Sequence, residues 1–234
     1  AARDARYAAL SSVAERLGAS LVLLGHTRDD QAEQVLLGLA RGSGARSLAG
    51  MPSVRGIFRR PLLGVTRGDT RSLCEAANLP WWDDPMNDDP AYLRVKARRA
   101  LADLEGDLGP GIREALARTA DQLREDADHL DALADAAYAT LHPVEREQIA
   151  GEGPPSPAIC SLSTGGLAEL PRAVRTRVWR RLLIAAGAPA GQVSARHTDD
   201  CDRLLTDWHG QGPIHVPGDL RVSRSGGRIV LAPG

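Results

Sequence analysis

The sequence has 234 residues, 43% of them hydrophobic and 25% charged, which is enough apolar material for a buried core in one or two domains. Its 29 basic and 30 acidic residues leave a net charge of -1, so any nucleic-acid contact has to be a local patch rather than a global field. No apolar run approaches the roughly 18 residues that span a membrane, and Cys74, Cys160 and Cys201 lack metal-ligand or redox spacing, as expected of reduced thiols in a cytoplasmic protein.

Tyr7, Leu10, Ala14 and Leu17 recur at helical spacing and predict a helix over 3–17, ended by Gly18. The unbroken run Leu21 to Leu24 predicts a strand buried on both faces. Gly25 and His26 follow it, and a second helix is predicted from about Asp29 to Ala40. Arg41-Gly42-Ser43-Gly44 reads as loop. Val54 to Arg59 reads as one strand, stopped by Pro61. Thr66 and Asp69 form a capping-box start for a third helix that ends near Asn78. Trp81-Trp82 reads as a short strand and as core, before a turn at Asp83-Asp84-Pro85. This alternation of helix and strand is that of an α/β domain with a parallel sheet.

The pattern changes after Leu104. Gly106, Gly109, Pro110 and Gly111 mark a boundary, dividing the chain into 1–105 and 106–234. A long helix is predicted next, with Ile112, Leu116, Thr119, Leu123, Leu130, Leu133, Ala137 and Leu141 on one stripe. Residues 142–160 read as loop, 171–186 and 195–208 as helices. Ile214–Val216, Leu220–Ser223 and Ile229–Leu231 read as a small antiparallel unit joined by Gly-containing turns.

The segment Gly25 to Glu33 carries the clearest chemistry. It lies where a parallel strand hands over to a helix, the edge at which open α/β sheets bind ligands. Asp30 and Glu33 are three apart and share a helix face, so together they could hold an amine or a metal. A metallohydrolase reading of His26, Asp29, Asp30 and Glu33 needs further ligand clusters, and His129, His142, His197 and His215 have no partner at ligand spacing, so no metal ligands are assigned. Two basic runs stand out. Arg94, Lys96, Arg98 and Arg99 share one helix; Arg172, Arg175, Arg177, Arg180 and Arg181 share another, interleaved with Val174, Val178 and Leu182. Each reads either as a phosphate-tracking surface or as a solvated helix face, with Arg221, Arg224 and Arg228 as an extension.

Gly25 to Glu33 resembles the GHHxxDQAET motif of tRNA(Ile)-lysidine synthetases, with Thr27 in place of the second His. Leu36 to Gly44 with Leu48-x-Gly50-Met51 is similar to that family's LLRLxRGSGxxGLxGM stretch. Arg60-Pro61-Leu62-Leu63 resembles its RPLL, and Asp84-Pro85-Met86-Asn87 with Asp89 its DPxNxD. Trp208 to Pro213 and the hairpin after it look like the end of its substrate domain. Val95 and Lys96 stand where the family has Asn-Arg. Its SGGxDS phosphate loop is absent, so the chain reads as lacking a front end, with one edge of the parallel sheet left open.

The resemblance implies a partial PP-loop α/β domain over 1–105, then a mostly helical tRNA-binding domain over 106–234 with a small C-terminal β-hairpin unit. It implies ATP and Mg²⁺ as cofactors, with free L-lysine and the CAU-anticodon isoleucine tRNA as partners. The activity implied is ligation of lysine to C2 of the wobble cytidine through an adenylated tRNA, a chemistry these 234 residues alone would not complete. His26 would contact ATP or the adenylate, Asp30 and Glu33 the lysine ammonium, Arg6 the cytidine, and Arg98 the phosphate charge. Arg172, Arg175 and Arg177 would contact tRNA. A thiolating PP-loop enzyme and a catalytically dead tRNA-binding fragment are the alternatives, and the oligomeric state stays open, a homodimer included.

Overall fold

The computed structural model describes residues 2–42, 44–141, 144–145 and 160–234. Two compact units divide the chain, Ala1–Ala127 and Asp128–Gly234. The architecture is mixed α/β, and no helix among the described residues is long and apolar enough to cross a membrane.

In the first unit α1 (Ala2–Leu17) leads into β1 (Val22–Leu23), which pairs in parallel with β3 (Phe58–Arg59). Between them come α2 (Arg28–Ala40), α3 (Ala45–Leu48) and β2 (Val54–Arg55); α4 (Arg67–Ala76) follows β3. The strand expected over Val54–Arg59 is in fact a tight antiparallel hairpin, because Gly56, at φ +56°, reverses the chain between Arg55 and its partner Phe58. The sheet order β1-β3-β2 leaves β1 at an edge. The expectation of a doubly buried strand is therefore corrected: with nothing paired to that edge among the described residues, Leu21 and Leu23 are 48% and 69% exposed. Trp81 and Trp82 form no strand and no core; they are 46% and 77% exposed, on an extended segment that leads into a short 3₁₀ turn at Pro85–Asp88.

Two expected helix starts are laced together. Arg28 donates its backbone N–H to Val65 O (2.9 Å) and its guanidinium to Gly64 O (2.8 Å). Asp29 Oδ2 accepts the N–H of Arg67 at 2.8 Å. This brings the first turns of α2 and α4 side by side at the carboxyl edges of β1 and β3. Gln31 then fixes the far side of α2. Its buried amide accepts from Met51 N (2.7 Å) and donates to Met51 O (3.1 Å). A Cβ on Gly50 would lie 2.6 Å from Gln31 Oε1, so the glycine keeps that space open.

α5 (Leu93–Leu108) packs on α2, burying Val95, Ala97 and Leu101. The long helix is α6 (Ile112–Thr140); most of its expected stripe is half-buried, with Leu130 and Ala137 packed on the core of the second unit, but the fully buried positions between them are alanines. Ala117, Ala120, Ala127 and Ala134 are buried, while Leu133 is 44% exposed and Thr119 exposed. Ala120, Ala127 and Ala134 are two helical turns apart, and side chains this small let a neighbouring backbone come close.

Most of the loop expected over 142–160 lies outside the described residues. The described piece, β4 (Val144–Glu145), pairs antiparallel with β5 (Cys160–Ser163). After α7 (Thr164–Ala168) come α8 (Arg172–Ala185) and α9 (Ala195–Thr206), close to their expected bounds. The expected terminal unit forms as β6 (Ile214–Val216), β7 (Leu220–Ser225) and β8 (Arg228–Pro233), and the full sheet runs β4-β5-β8-β7-β6, every pair antiparallel. Its core holds Trp179, Leu182, Leu183, Leu204, Ile229 and Leu231, all fully buried. Gly166 belongs to this packing, since a Cβ there would collide with the Leu141 side chain.

Candidate functional site

A cleft of about 1230 Å³ opens in the first unit. Arg6, His26, Asp30 and Arg98 all line it. They come from α1, the tip of β1, the first turn of α2 and α5, which explains why no local pattern links them. Arg3, Tyr7, Arg41, Arg67, Arg71, Trp81 and Arg94 also line it. Seven of the lining residues are arginines against four aspartates, Asp30, Asp83, Asp84 and Asp88, so the cleft carries a net positive lining although the chain is nearly neutral.

His26 follows β1, and its Nδ1 is buried without a hydrogen-bond partner. Burial holds its pKa below the ordinary 6.5; Asp30 raises it, and Arg60, Arg94 and Arg6 lower it further. The ring is neutral at pH 7. We expect the His26 ring resonances to titrate with a midpoint under 6.5, and an Asp30→Asn variant to move that midpoint lower still. A wild-type midpoint at or above 6.5 would contradict the burial argument. The sign for stability follows: acidification through 6.5 protonates the unfolded chain first, so it weakens the fold.

Asp30 serves two neighbours. Its Oδ2 accepts from Thr27 N (2.8 Å) and Thr27 Oγ1 (3.0 Å), while Oδ1 lies 3.5 Å from Arg67 Nη2. Thr27, where the motif has a second His, therefore opens α2. Glu33 lies one turn on and is 1% exposed. Its Oε1 accepts from Arg98 Nε at 2.9 Å and lies 3.6 Å from Arg67 Nη2, whereas Oε2 is buried and unpartnered. Asp30 thus faces the cleft and Glu33 sits beneath it, gripping the arginines that line it.

Arg98 also donates Nη1 to Asn87 O at 3.3 Å, and Arg99 donates to Asp88 O at 3.1 Å. The Pro85–Asp88 turn is thereby fastened to α5. Arg6 lies by the Tyr7 ring, 5.8 Å from its centroid, and Arg3 and Arg55 approach the same ring at 5.6 and 5.7 Å. Tyr7 Oη accepts from Arg60 Nη2 at 2.8 Å, and Arg60 is 98% buried, which gives the Arg of the Arg60-Pro61 motif a structural task.

The arginines of the second basic run are not a free row. Arg175 is 8% exposed and makes a bidentate pair with Asp202, Nε to Oδ1 at 2.6 Å and Nη2 to Oδ2 at 2.9 Å. Trp179 Nε1 donates to the same carboxylate at 3.0 Å. Arg177 pairs with Asp131 at 3.0 Å, and Arg181 pairs with Asp135. Arg172 pairs with Asp199 at 2.7 Å but stays 70% exposed. Expecting all three of Arg172, Arg175 and Arg177 on a tRNA-facing surface therefore needs correction for Arg175, which the geometry assigns to the core. In the terminal sheet Arg224 donates to Leu204 O (2.9 Å) and Arg228 to Ser161 Oγ (2.8 Å).

The sequence reading missed Arg67 and Arg71 as lining residues. Arg67 stands at the first position of α4, the helix that follows β3, and the carboxyl-edge rule that singled out His26 extends to it.

Residues 1–105 match the family model of the PP-loop domain, and residues 162–230 match that of the TilS substrate binding domain. Over 236 residues the chain is 52% identical to the tRNA(Ile)-lysidine synthase of Thermobifida fusca (strain YX), covering 99% of this chain and 68% of that protein. The chain belongs to the tRNA(Ile)-lysidine synthase family. The Streptomyces coelicolor relative of that name is 52% identical over 238 residues, and the Mycobacterium tuberculosis one 46% over 225. Both matches span 64% of the relative, so the chain covers about two thirds of the length of these curated proteins.

Proposed function

We propose that the cleft joins free lysine to C2 of the wobble cytidine of the CAU-anticodon isoleucine tRNA, in an ATP-dependent reaction forming a C–N bond. The observation that carries this reading is the gathering of Arg6, His26, Asp30 and Arg98 around one cationic cleft, in a chain from this family. The cytidine O2 attacks the α-phosphorus of ATP, and pyrophosphate leaves. The lysine ε-amine then attacks C2, the C2–O bond breaks, AMP departs, and the amine loses its proton.

The residues fit a nucleotide. The volume exceeds that of ordinary small-molecule sites, about 300–1,000 Å³, leaving room for a second reactant. The arginines of the lining offer phosphate donors. Arg98, always charged and held by Glu33, is placed to meet phosphate charge as it develops. Neutral His26 can meet the adenylate without adding a charge. Asp30 binds a lysine ammonium, and Arg6 meets the cytidine. Among the described residues no three His, Cys, Asp or Glu side chains converge as a metal cage. Mg²⁺ would be held by substrate phosphates with one or two carboxylates, for which Asp84 and Asp88 of the lining are the candidates. It would neutralise phosphate charge.

A thiolating relative would call for paired cysteines, and Cys74 alone lines the cleft, with Cys160 and Cys201 in the core of the second unit. Product analysis of the full-length gene product tests the proposal. One AMP and one pyrophosphate per lysine incorporated, both dependent on RNA, is the expected result. ADP formation, or hydrolysis independent of RNA, would overturn it. A polypeptide limited to these 234 residues is expected to release no AMP.

A further inference from the structure

We propose that Trp81 is a stacking platform for an unpaired nucleobase of the RNA at the mouth of the cleft. The inference rests on the proposed RNA substrate and deepens it by naming a residue that would select the looped-out nucleotide. Trp81 lines the cleft yet is 46% exposed, which places it at the rim. A half-bare indole is a large apolar face left in water, where it gains by being covered.

The ring is also held in place. Its Nε1 donates to Asp83 Oδ2 at 3.3 Å, and Asp83 Oδ1 is gripped by Arg71 from α4. An exposed aromatic tethered at one edge presents a ring face at low conformational cost, as a stacking surface requires. Its surroundings fit a nucleic acid. Arg71 and Arg94 line the same cleft and suit the flanking phosphates, while the indole has no donor or acceptor left to read a base edge. RNA is preferred to the adenine of ATP because the ring is 46% exposed at the rim, beside Arg71 and Arg94, rather than enclosed in the cleft.

The test measures binding of the full-length protein to two RNAs by fluorescence anisotropy, an anticodon stem–loop with the CAU loop and a blunt duplex of equal length. Trp81→Ala is expected to weaken stem–loop binding roughly tenfold or more, Trp81→Phe to recover most of it, and duplex binding to stay unchanged. ATP affinity is expected to stay within about twofold. Equal loss on loop and duplex, loss of ATP binding instead, or no loss on the loop would each overturn the platform. A wild-type protein that does not prefer the stem–loop would overturn the RNA reading itself, a different outcome. An unchanged melting temperature in both variants, expected of an exposed residue, separates binding from folding.

Discussion

An Arg98→Ala variant of the full-length gene product is expected to form lysidine about a hundred to a thousand times more slowly than wild type, the usual cost of removing one preorganised donor to developing charge. Arg98 makes two described hydrogen bonds, to Glu33 Oε1 and Asn87 O, so most of its five N–H donors remain for a ligand. Arg98→Lys should recover little, because a point ammonium cannot hold both partners and still offer a planar fork. Glu33→Gln decides between two roles for that carboxylate. At 1% exposure, Glu33 is better placed to orient Arg98 than to meet lysine directly, while Asp30 faces the cleft. The account therefore expects Glu33→Gln to lower kcat with little change in the KM for lysine, and Asp30→Asn to raise that KM. The reverse split would assign the ammonium to Glu33.

Arg175→Ala is expected to destabilise the second unit by about 3–5 kcal/mol, enough to unfold many domains, because it strands a buried carboxylate. Asp202 would keep only the Trp179 indole N–H as a described side-chain donor. A paired Arg175→Met, Asp202→Leu replacement should restore much of the stability, since it removes both charges at once. Thermal melts of the three proteins check this. Charge reversal at Arg175 would act through folding and says nothing of RNA contact. Arg172, 70% exposed, is the member of that run on which an RNA-binding test is clean: Arg172→Glu should weaken tRNA binding with no change in melting temperature. A large loss of binding without loss of stability at Arg175 would contradict the core assignment.

Much of this was legible in the sequence because it rests on local rules. The Thr66–Asp69 capping box appears as expected, with Asp69 N donating to Thr66 Oγ1 at 2.9 Å, and the helix over 172–185 buries Val174, Val178 and Leu182 on its predicted face. The carboxyl-edge position of His26 and Asp30 followed from the strand-to-helix handover. Features that depend on partners distant in sequence were not legible. Arg175 and Arg172 look alike in a row of arginines, and only the position of α9 places Asp202 beneath one and Asp199 beside the other. Trp81 and Trp82 look like core by composition, yet Asp83 and the Pro85–Asp88 turn hold their segment at the rim. On α6 the stripe was legible except at Thr119 and Leu133, which are exposed; the alanines between its leucines, which composition does not single out, are the fully buried positions.

The central claim is that this cleft modifies a tRNA cytidine with lysine. The most direct measurement is nucleoside mass spectrometry of CAU-anticodon isoleucine tRNA after incubation with the full-length gene product, ATP and isotopically labelled lysine. The account predicts that the wobble cytidine gains one labelled lysine with loss of water, and that the gain nearly disappears with Arg98→Ala. An unmodified cytidine with the active wild-type protein, or modification undiminished by Arg98→Ala, would contradict it.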